Sequence, residues 1–120
     1  MILVDTSVWI GHFRRRDVEL VELLRAGRVA TCDVVTAELR LGSGIPEGVP
    51  QLLSRLPHLP VPDARRALAF LDAEGSVLAG AGIGFADLLL VTCARDSGSL
   101  LKTSDVALGA AWRALGYAAA

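Results

Sequence analysis

The residues Ile2-Leu3-Val4-Asp5-Thr6-Ser7 place a short apolar run directly before a carboxylate and two hydroxyl side chains. A short apolar run bounded by polar residues is typical of a buried β-strand, and Ser7 has a side chain that favours a helix cap. Asp5 is therefore predicted at the carboxyl end of a central strand, where open α/β sheets bind their ligands. The alternative is that Asp5 only begins a turn.

The overall composition favours one folded domain. The chain has 120 residues, a net charge of -1 and 52% hydrophobic residues, of which few are aromatic. A chain of this length buries about two-thirds of its unfolded surface. A high apolar content is expected where strands are covered on both faces. We therefore predict a single domain over residues 1–120.

Three features of the sequence bear on location. Residues 75–94 carry one charge, Asp87, but its central position and several glycines argue against a membrane span. The chain begins without the basic and apolar regions of a signal peptide. Cys32 and Cys93 form no CxxC motif and are predicted to be buried, reduced thiols. These features predict a cytoplasmic protein without membrane contact.

Strands and helices are predicted to alternate along the chain. The strands are predicted at residues 1–4, 29–32, 58–61, 99–103 and 116–119. The helices are predicted at residues 7–13, 17–26, 34–41, 64–73, 85–97 and 106–115, with one or two helical turns within 49–56. Such alternation predicts an α/β fold of three layers, with a central parallel sheet flanked by helices.

Four acids lie where a solvated surface would not place them. Asp5 and Asp105 each follow a predicted strand, and in a doubly wound sheet those two strand ends can be neighbours. Glu38 and Asp87 share helix faces with apolar residues, near helix starts at the same edge of the sheet. Ionised carboxylates are costly to bury unless they are paired. One sheet edge is therefore predicted to collect four carboxylates that need cations.

The residue types at this edge predict a divalent metal. Carboxylates close together raise one another's pKa unless cations neutralise them. Ligation by oxygen alone suits Mg²⁺ or Mn²⁺ better than Zn²⁺. Such ions, holding a phosphodiester and a water, would form a hydrolytic site for phosphate esters. The alternatives are that each acid is a cap or turn residue, or that Asp5 is the nucleophile of an aspartyl-phosphate phosphatase or phosphotransfer domain.

Four segments of the sequence resemble the motifs of PIN-domain ribonucleases. They are Asp5-Thr6-Ser7, Thr36-Ala37-Glu38-Leu39 with Gly42, Phe85-Ala86-Asp87-Leu88-Leu89-Leu90, and Leu101-Lys102-Thr103-Ser104-Asp105. Their order and spacing match over essentially the whole chain. Within the family, a short domain with this opening is most similar to VapC toxins of toxin–antitoxin pairs. One departure is Val106-Ala107-Leu108, where the family often has an aromatic or acidic pair.

The resemblance implies a metal-dependent endoribonuclease. Its ligands for Mg²⁺ or Mn²⁺, which also position the attacking water, would be Asp5, Glu38, Asp87 and Asp105. Ser7 and Thr103 resemble the hydroxyl residues that support the metal cluster. The resemblance also implies an RNA substrate, a cognate VapB-type antitoxin and a homodimer. A non-catalytic PIN-like binding module is the remaining alternative.

Basic residues near two of the motifs are candidates for contact with the RNA backbone. They are Arg14, Arg15, Arg16 and Arg40. The alternative for the arginine run is a solvated loop. Because the net charge is -1, any RNA-binding surface must be local. Trp9 and Phe13, four residues apart, are predicted to pack in the core, with antitoxin contact as a second interpretation.

Overall fold

Three short parallel strands form the centre of the fold, and seven helices flank them. The structure, a computed structural model, describes all 120 residues. The strands are β1 (Ile2–Val4), β2 (Val29–Ala30) and β3 (Leu100–Lys102). The helices are α1 (Thr6–Arg14), α2 (Val18–Arg25), α3 (Asp33–Leu41), α4 (Val49–Arg55), α5 (Ala64–Leu78), α6 (Phe85–Asp96) and α7 (Val106–Ala114). The predicted α/β architecture with a central parallel sheet is confirmed.

Strand β1 occupies the middle of the sheet. It pairs with β2, with Leu3 opposite Ala30, and with β3, with Val4 opposite Lys102. All of its residues are buried, which explains an unbroken apolar run in place of alternating apolar and polar residues. Because parallel strands end at the same edge of a sheet, the residues that follow Val4 and Lys102 lie side by side.

The hydrophobic core surrounds this sheet. It consists of one cluster of 21 buried residues that includes Trp9. The Trp9 ring is 1% exposed, which confirms its predicted core position, and its centroid lies 6.4 Å from that of Phe13. Helix α1 packs against α3, α3 packs against α6, and α5 packs against both α6 and α7. The core therefore fixes the relative positions of the helices that begin beside β1 and β3.

Two predicted strands form only single bridges. The strand predicted at residues 58–61 is wrong, because His58 alone pairs there, with Thr31. Pro57, Pro60 and Pro62 surround this bridge. Proline has no N–H to donate, so the ladder does not extend. The last predicted strand likewise contributes only a bridge between residues 101 and 119.

The helix boundaries differ from the predictions at three places. Asp5, rather than Ser7, is the N-cap residue of α1. Helix α3 has Cys32 as its N-cap residue and begins at Asp33, one residue before the predicted start. Adjacent polar residues offer similar caps, so the sequence does not distinguish between them. Helix α5 continues beyond its predicted end at residue 73, although Glu74 interrupts it with φ -116° and ψ 16°.

The two cysteines are buried and free, as predicted. A hydrogen bond with the Cys93 side chain is the largest cause that lowers the pKa of the Cys32 thiol to about 7. The same bond raises the pKa of Cys93, and its burial raises that pKa further. None of the seven helices combines the length and the apolar character needed to cross a bilayer.

Replacing Leu3 with alanine tests the central position of β1. Leu3 is wholly buried, so Leu3→Ala is expected to lower the free energy of unfolding by roughly 2–5 kcal/mol through lost burial and a residual cavity. Urea denaturation followed by circular dichroism measures the change. Leu68→Ala is the matched control, since Leu68 is 56% exposed, and it should cost less than ~1 kcal/mol. Equal losses would contradict the packing described here.

Candidate active site

Two hydroxyl groups hold Asp5 at the carboxyl end of β1. Ser7 Oγ donates to Asp5 Oδ2 at 2.8 Å, and Thr103 Oγ1 donates to the same oxygen at 2.7 Å. Asp5 is 5% exposed, and a carboxylate buried to this extent requires such partners. Its other oxygen, Oδ1, accepts no hydrogen bond from the protein. The carboxylate is therefore fixed on one side and available to a ligand on the other.

The same hydroxyl groups join the end of β1 to the segment after β3. The backbone N–H of Ser104 donates to Ser7 Oγ at 3.0 Å, and that of Asp105 donates to Thr103 Oγ1 at 3.0 Å. The oxygens of Ser7 and Thr103 lie 3.3 Å apart. Each hydroxyl thus accepts from the backbone and donates to Asp5. This arrangement supports the role that the family resemblance implies for both residues.

Asp105 is exposed and serves as the N-cap residue of α7. Its Oδ1 atom accepts a hydrogen bond from the backbone N–H of Leu108 at 2.9 Å. This bond uses one oxygen, and the second accepts no hydrogen bond from the protein. Capping and ligand binding are therefore compatible at Asp105.

Asp87 is half-buried in the first turn of α6, close enough to Asp5 and Asp105 to be affected by their charges. Burial is the main cause that raises the pKa of its carboxyl group, and the charges of Asp5 and Asp105 raise that pKa further. A hydrogen bond from the backbone N–H of Gly84 acts in the opposite direction. The structure thus brings three of the four predicted acids to one edge of the sheet.

Glu38 lies further out than the sequence predicts. It is exposed on α3, because Val35 and Leu39 form the buried face of that helix. Its Oε1 atom accepts a hydrogen bond from Thr6 Oγ1 at 3.1 Å. Thr6 was not identified from the sequence, although it lies between Asp5 and Ser7. The contact connects Glu38 to the segment that carries Asp5.

The residues at this edge fit a hard divalent cation in their chemistry. All of the candidate ligands are carboxylates, and none takes part in the three ion pairs of the structure. Their negative charge is therefore not neutralised by the protein, and oxygen ligands suit Mg²⁺ or Mn²⁺. In their present positions, no three Asp, Glu, His or Cys side chains lie close enough together to hold an ion. Asp87, Asp105 and Glu38 would have to rotate toward Asp5 to complete the site.

The arginines predicted to contact RNA lie on different surfaces. Arg14 lines a cavity of about 300 Å³ together with Glu38, whereas Arg40 lines a separate cavity of about 440 Å³. Residues two apart on a helix point in nearly opposite directions, so Arg40 faces away from Glu38. Arg15 and Arg16 are exposed and line neither cavity. Of these four, Arg14 is the one beside a predicted site residue.

Arg113 is a cation near the site that the sequence analysis missed. A Cβ atom built on Gly109 would lie 3.4 Å from Arg113 Nη1 and 3.7 Å from Thr103 Cγ2. The guanidinium therefore folds back along α7 toward the end of β3, and Gly109 leaves room for it. Side chains on a helix lean toward its N-terminus, which explains this direction. The only signal for this contact in the sequence was the spacing of four residues between Gly109 and Arg113.

Known proteins match this chain along its whole length. The family model described as "PIN domain" matches residues 2–111. Ribonuclease VapC32 of Mycobacterium tuberculosis is 40% identical to this chain over 122 residues, which span 100% of this chain and 97% of that protein. The same values are found for VapC32 in two strains of that organism. The matched region includes every strand and all of the predicted site residues.

Two solved structures share the fold. The crystal structure of FitAcB from Neisseria gonorrhoeae has a TM-score of 0.68 and 21% identity, covering 99% of this chain and 96% of that chain. PAE2754 from Pyrobaculum aerophilum has a TM-score of 0.60 and 21% identity, covering 94% of this chain and 86% of that chain. At this level of identity, the likeness concerns the arrangement of the helices and strands.

Asp87→Asn is expected to stabilise the metal-free protein at neutral pH. The pKa of Asp87 is raised in the native state, so the native state holds the proton more strongly than the unfolded state does. Stability therefore falls as the pH rises through the native pKa, and at neutral pH the ionised Asp87 destabilises the fold. Asparagine avoids this cost and still accepts the bond from Gly84.

Thermal melts in EDTA across a pH series measure this effect. The melting temperature of Asp87→Asn should exceed that of the wild type at neutral pH. The difference should shrink as the pH falls below the ordinary pKa of aspartate. Glu47→Gln, at an exposed site without an ion pair, should leave the melting temperature unchanged. A lower melting temperature for Asp87→Asn at neutral pH would refute the electrostatic description of the site.

Proposed function

The chain belongs to the PIN domain family, and on this premise we propose that its acidic edge is the active site of a VapC-type toxin. The protein is an endoribonuclease that hydrolyses RNA phosphodiester bonds, in a family whose activity depends on divalent metal. The metal is Mg²⁺ or Mn²⁺, because the candidate ligands are all carboxylates. The observation that carries the proposal is that Asp5, Asp87 and Asp105 meet at one sheet edge and none of them forms an ion pair with a protein cation.

Each residue of the site has a distinct task in this proposal. Asp5 presents a fixed carboxylate, because Ser7 and Thr103 hold one of its oxygens. Asp87 and Asp105 supply carboxylates on the other side of the site. When bound, the divalent ion supplies electrostatic stabilisation of the phosphate and activates water. The protein contributes the positions of the ligands and the orientation of the RNA.

Glu38 completes the site from the side of α3. Its hydrogen bond to Thr6 Oγ1 keeps the carboxylate near the start of α1. Because Glu38 is exposed, it is the ligand most free to adjust when RNA and metal enter. Arg14, in the same cavity as Glu38, is placed to contact an RNA phosphate, and Arg113 would do so on the opposite side of Asp5.

The aspartyl-phosphate alternative loses support from the position of Lys102. It is the only lysine in the chain, and its Nζ atom donates to Glu19 Oε1 at 2.8 Å. This ion pair leaves Asp5 without the lysine that a phosphorylated aspartate would need. Asp5 therefore acts as a metal ligand in our proposal.

The antitoxin partner would be a VapB-type protein. We assign its contact to the cavity of about 300 Å³ between α1 and α3, which is lined by Ile10, Phe13, Arg14 and Glu38 among others. An antitoxin bound there would cover one of the acids and so block RNA. A homodimer is also proposed from the family. The free, buried thiols suit a reducing compartment, which is the cytoplasm.

Asp5→Asn is expected to remove RNA cleavage while the protein remains folded. The neutral amide still accepts the hydroxyl hydrogen bonds but binds a divalent ion weakly, so the cleavage rate should fall by about 100-fold or more. Gel assays on short RNA measure the rate, and circular dichroism checks the fold. Glu47→Gln is the control and should cleave RNA normally.

The same pair of variants tests the role as a toxin. Expression of the wild-type chain without an antitoxin should arrest growth, and expression of Asp5→Asn should not. Full RNA cleavage by Asp5→Asn would overturn the assignment of the site. Normal growth with soluble, active wild-type protein would overturn the role as a toxin only.

Millimolar Mg²⁺ or Mn²⁺ is expected to raise the melting temperature of the wild-type protein. A ligand that binds the native state stabilises it by mass action, and the rise should increase with ion concentration. The ion also relieves the repulsion that acts on Asp87. The double variant Asp5→Asn/Asp87→Asn should show no rise. An equal rise in both proteins would place the bound ion elsewhere.

A further inference from the structure

Phe85 is an aromatic side chain left in solvent beside the acids. Phe85 is 57% exposed at the first position of α6. The other five aromatic side chains of the chain are buried or half-buried. Aromatic rings dominate the energetics of cores and interfaces, so an exposed ring is informative where a ligand must bind. Phe85 also precedes Asp87 by only two residues.

Phe85 forms one wall of a cavity between the end of α5 and the start of α6. The cavity has a volume of about 490 Å³, in the range of small-molecule sites. Its apolar lining includes Leu71, Leu78, Ile83 and Leu88. The only charged side chain in the lining is that of Asp72. The cavity is therefore suited to a flat, largely apolar group with one polar edge.

The cavity borders the helical turn that carries Asp87. Gly84 and Phe85 line it, and Asp87 follows in the first turn of the same helix. Asp87 does not line the cavity itself, but two helical residues advance only ~3 Å along the axis. A nucleotide whose phosphate lies at Asp87 can therefore extend its base around the start of α6 toward this cavity.

We propose that the cavity binds an unpaired nucleobase of the RNA substrate, stacked on the Phe85 ring, next to the phosphate that is cleaved. This inference rests on the proposed ribonuclease function and extends it. Bases of single-stranded RNA stack on aromatic side chains, whereas bases within a duplex are not free to do so. The substrate is therefore single-stranded at this position.

Asp72 gives the cavity a preference among bases. An exposed carboxylate accepts hydrogen bonds and does not donate them at neutral pH. It would bind the exocyclic amino group of cytosine, adenine or guanine, a group that uracil lacks. Asp72→Asn can both donate and accept, so this variant should discriminate less against uracil than the wild type does.

Phe85→Ala tests the stacking. Loss of one base–aromatic contact should raise the Kd and KM for a short single-stranded RNA by roughly 5- to 100-fold. The rate at saturating RNA should change much less, because the acids remain in place. Phe85→Trp should restore tight binding, and Leu68→Ala, at a similarly exposed side chain on α5, should have no effect.

An abasic nucleotide moved along the RNA separates stacking from other effects. The wild type should lose affinity when the abasic unit occupies the position beside the cleaved bond, and Phe85→Ala should lose nothing further there. Cleavage of the RNA that carries the abasic unit at this position should therefore have a similar KM in the wild type and Phe85→Ala. If the wild type cleaves no RNA at all, the proposed function fails and not the cavity assignment alone.

Other results would assign the cavity to a different occupant. Unchanged RNA binding and cleavage by Phe85→Ala would overturn the inference. If that variant altered only the oligomeric state in sedimentation, the cavity would be a contact between copies of the chain. If it altered only antitoxin affinity, the cavity would belong to the antitoxin. A change confined to the oligomeric state or to antitoxin affinity would also overturn the inference.

Discussion

The geometry of the whole site depends on a buried carboxylate at the end of the central strand. Asp5 lies at 5% exposure, where an unsatisfied carboxylate would be costly. Ser7, two residues away, and Thr103, 98 residues away, both donate to one of its oxygens. Those hydroxyls also accept hydrogen bonds from the backbone after β3. The groups that satisfy Asp5 therefore also align the start of α7 with the start of α1.

The fold holds the remaining acids close to Asp5 although their like charges repel one another. Asp87 and Asp105 lie near Asp5 because α6 and α7 begin at the edge where β1 and β3 end. The elevated pKa of Asp87 reflects its burial first and repulsion from Asp5 and Asp105 second, and the core must outweigh both costs. A cluster of 21 buried residues provides the opposing stability. The same repulsion that weakens the metal-free fold is what gives the edge its affinity for a cation.

The sequence was informative where short-range pattern and sheet geometry act together. The apolar run before Asp5 and the alternation of strands with helices predicted that Asp5 and Asp105 follow strands whose ends can be neighbours. Contacts set by side-chain direction were not predictable, among them the bond from Thr6 to Glu38 and the approach of Arg113 past Gly109. The false strand at residues 58–61 arose because apolar content was counted and the missing proline donors were not.

An acidic site in a chain of net charge -1 has to bind a polyanion, and its charge distribution limits how it does so. Lys102 and Arg66 are engaged in ion pairs with Glu19 and Asp96, whereas Arg14 and Arg113 lie near the acids without such a partner. Bound divalent ions offset the repulsion at the cleaved phosphate alone. Arginines such as these can bind the phosphates on either side, but phosphate contacts do not distinguish one RNA from another. Stacking on an exposed aromatic ring adds affinity that does not depend on charge. We therefore expect this nuclease to select RNA by its unpaired bases more than by its backbone.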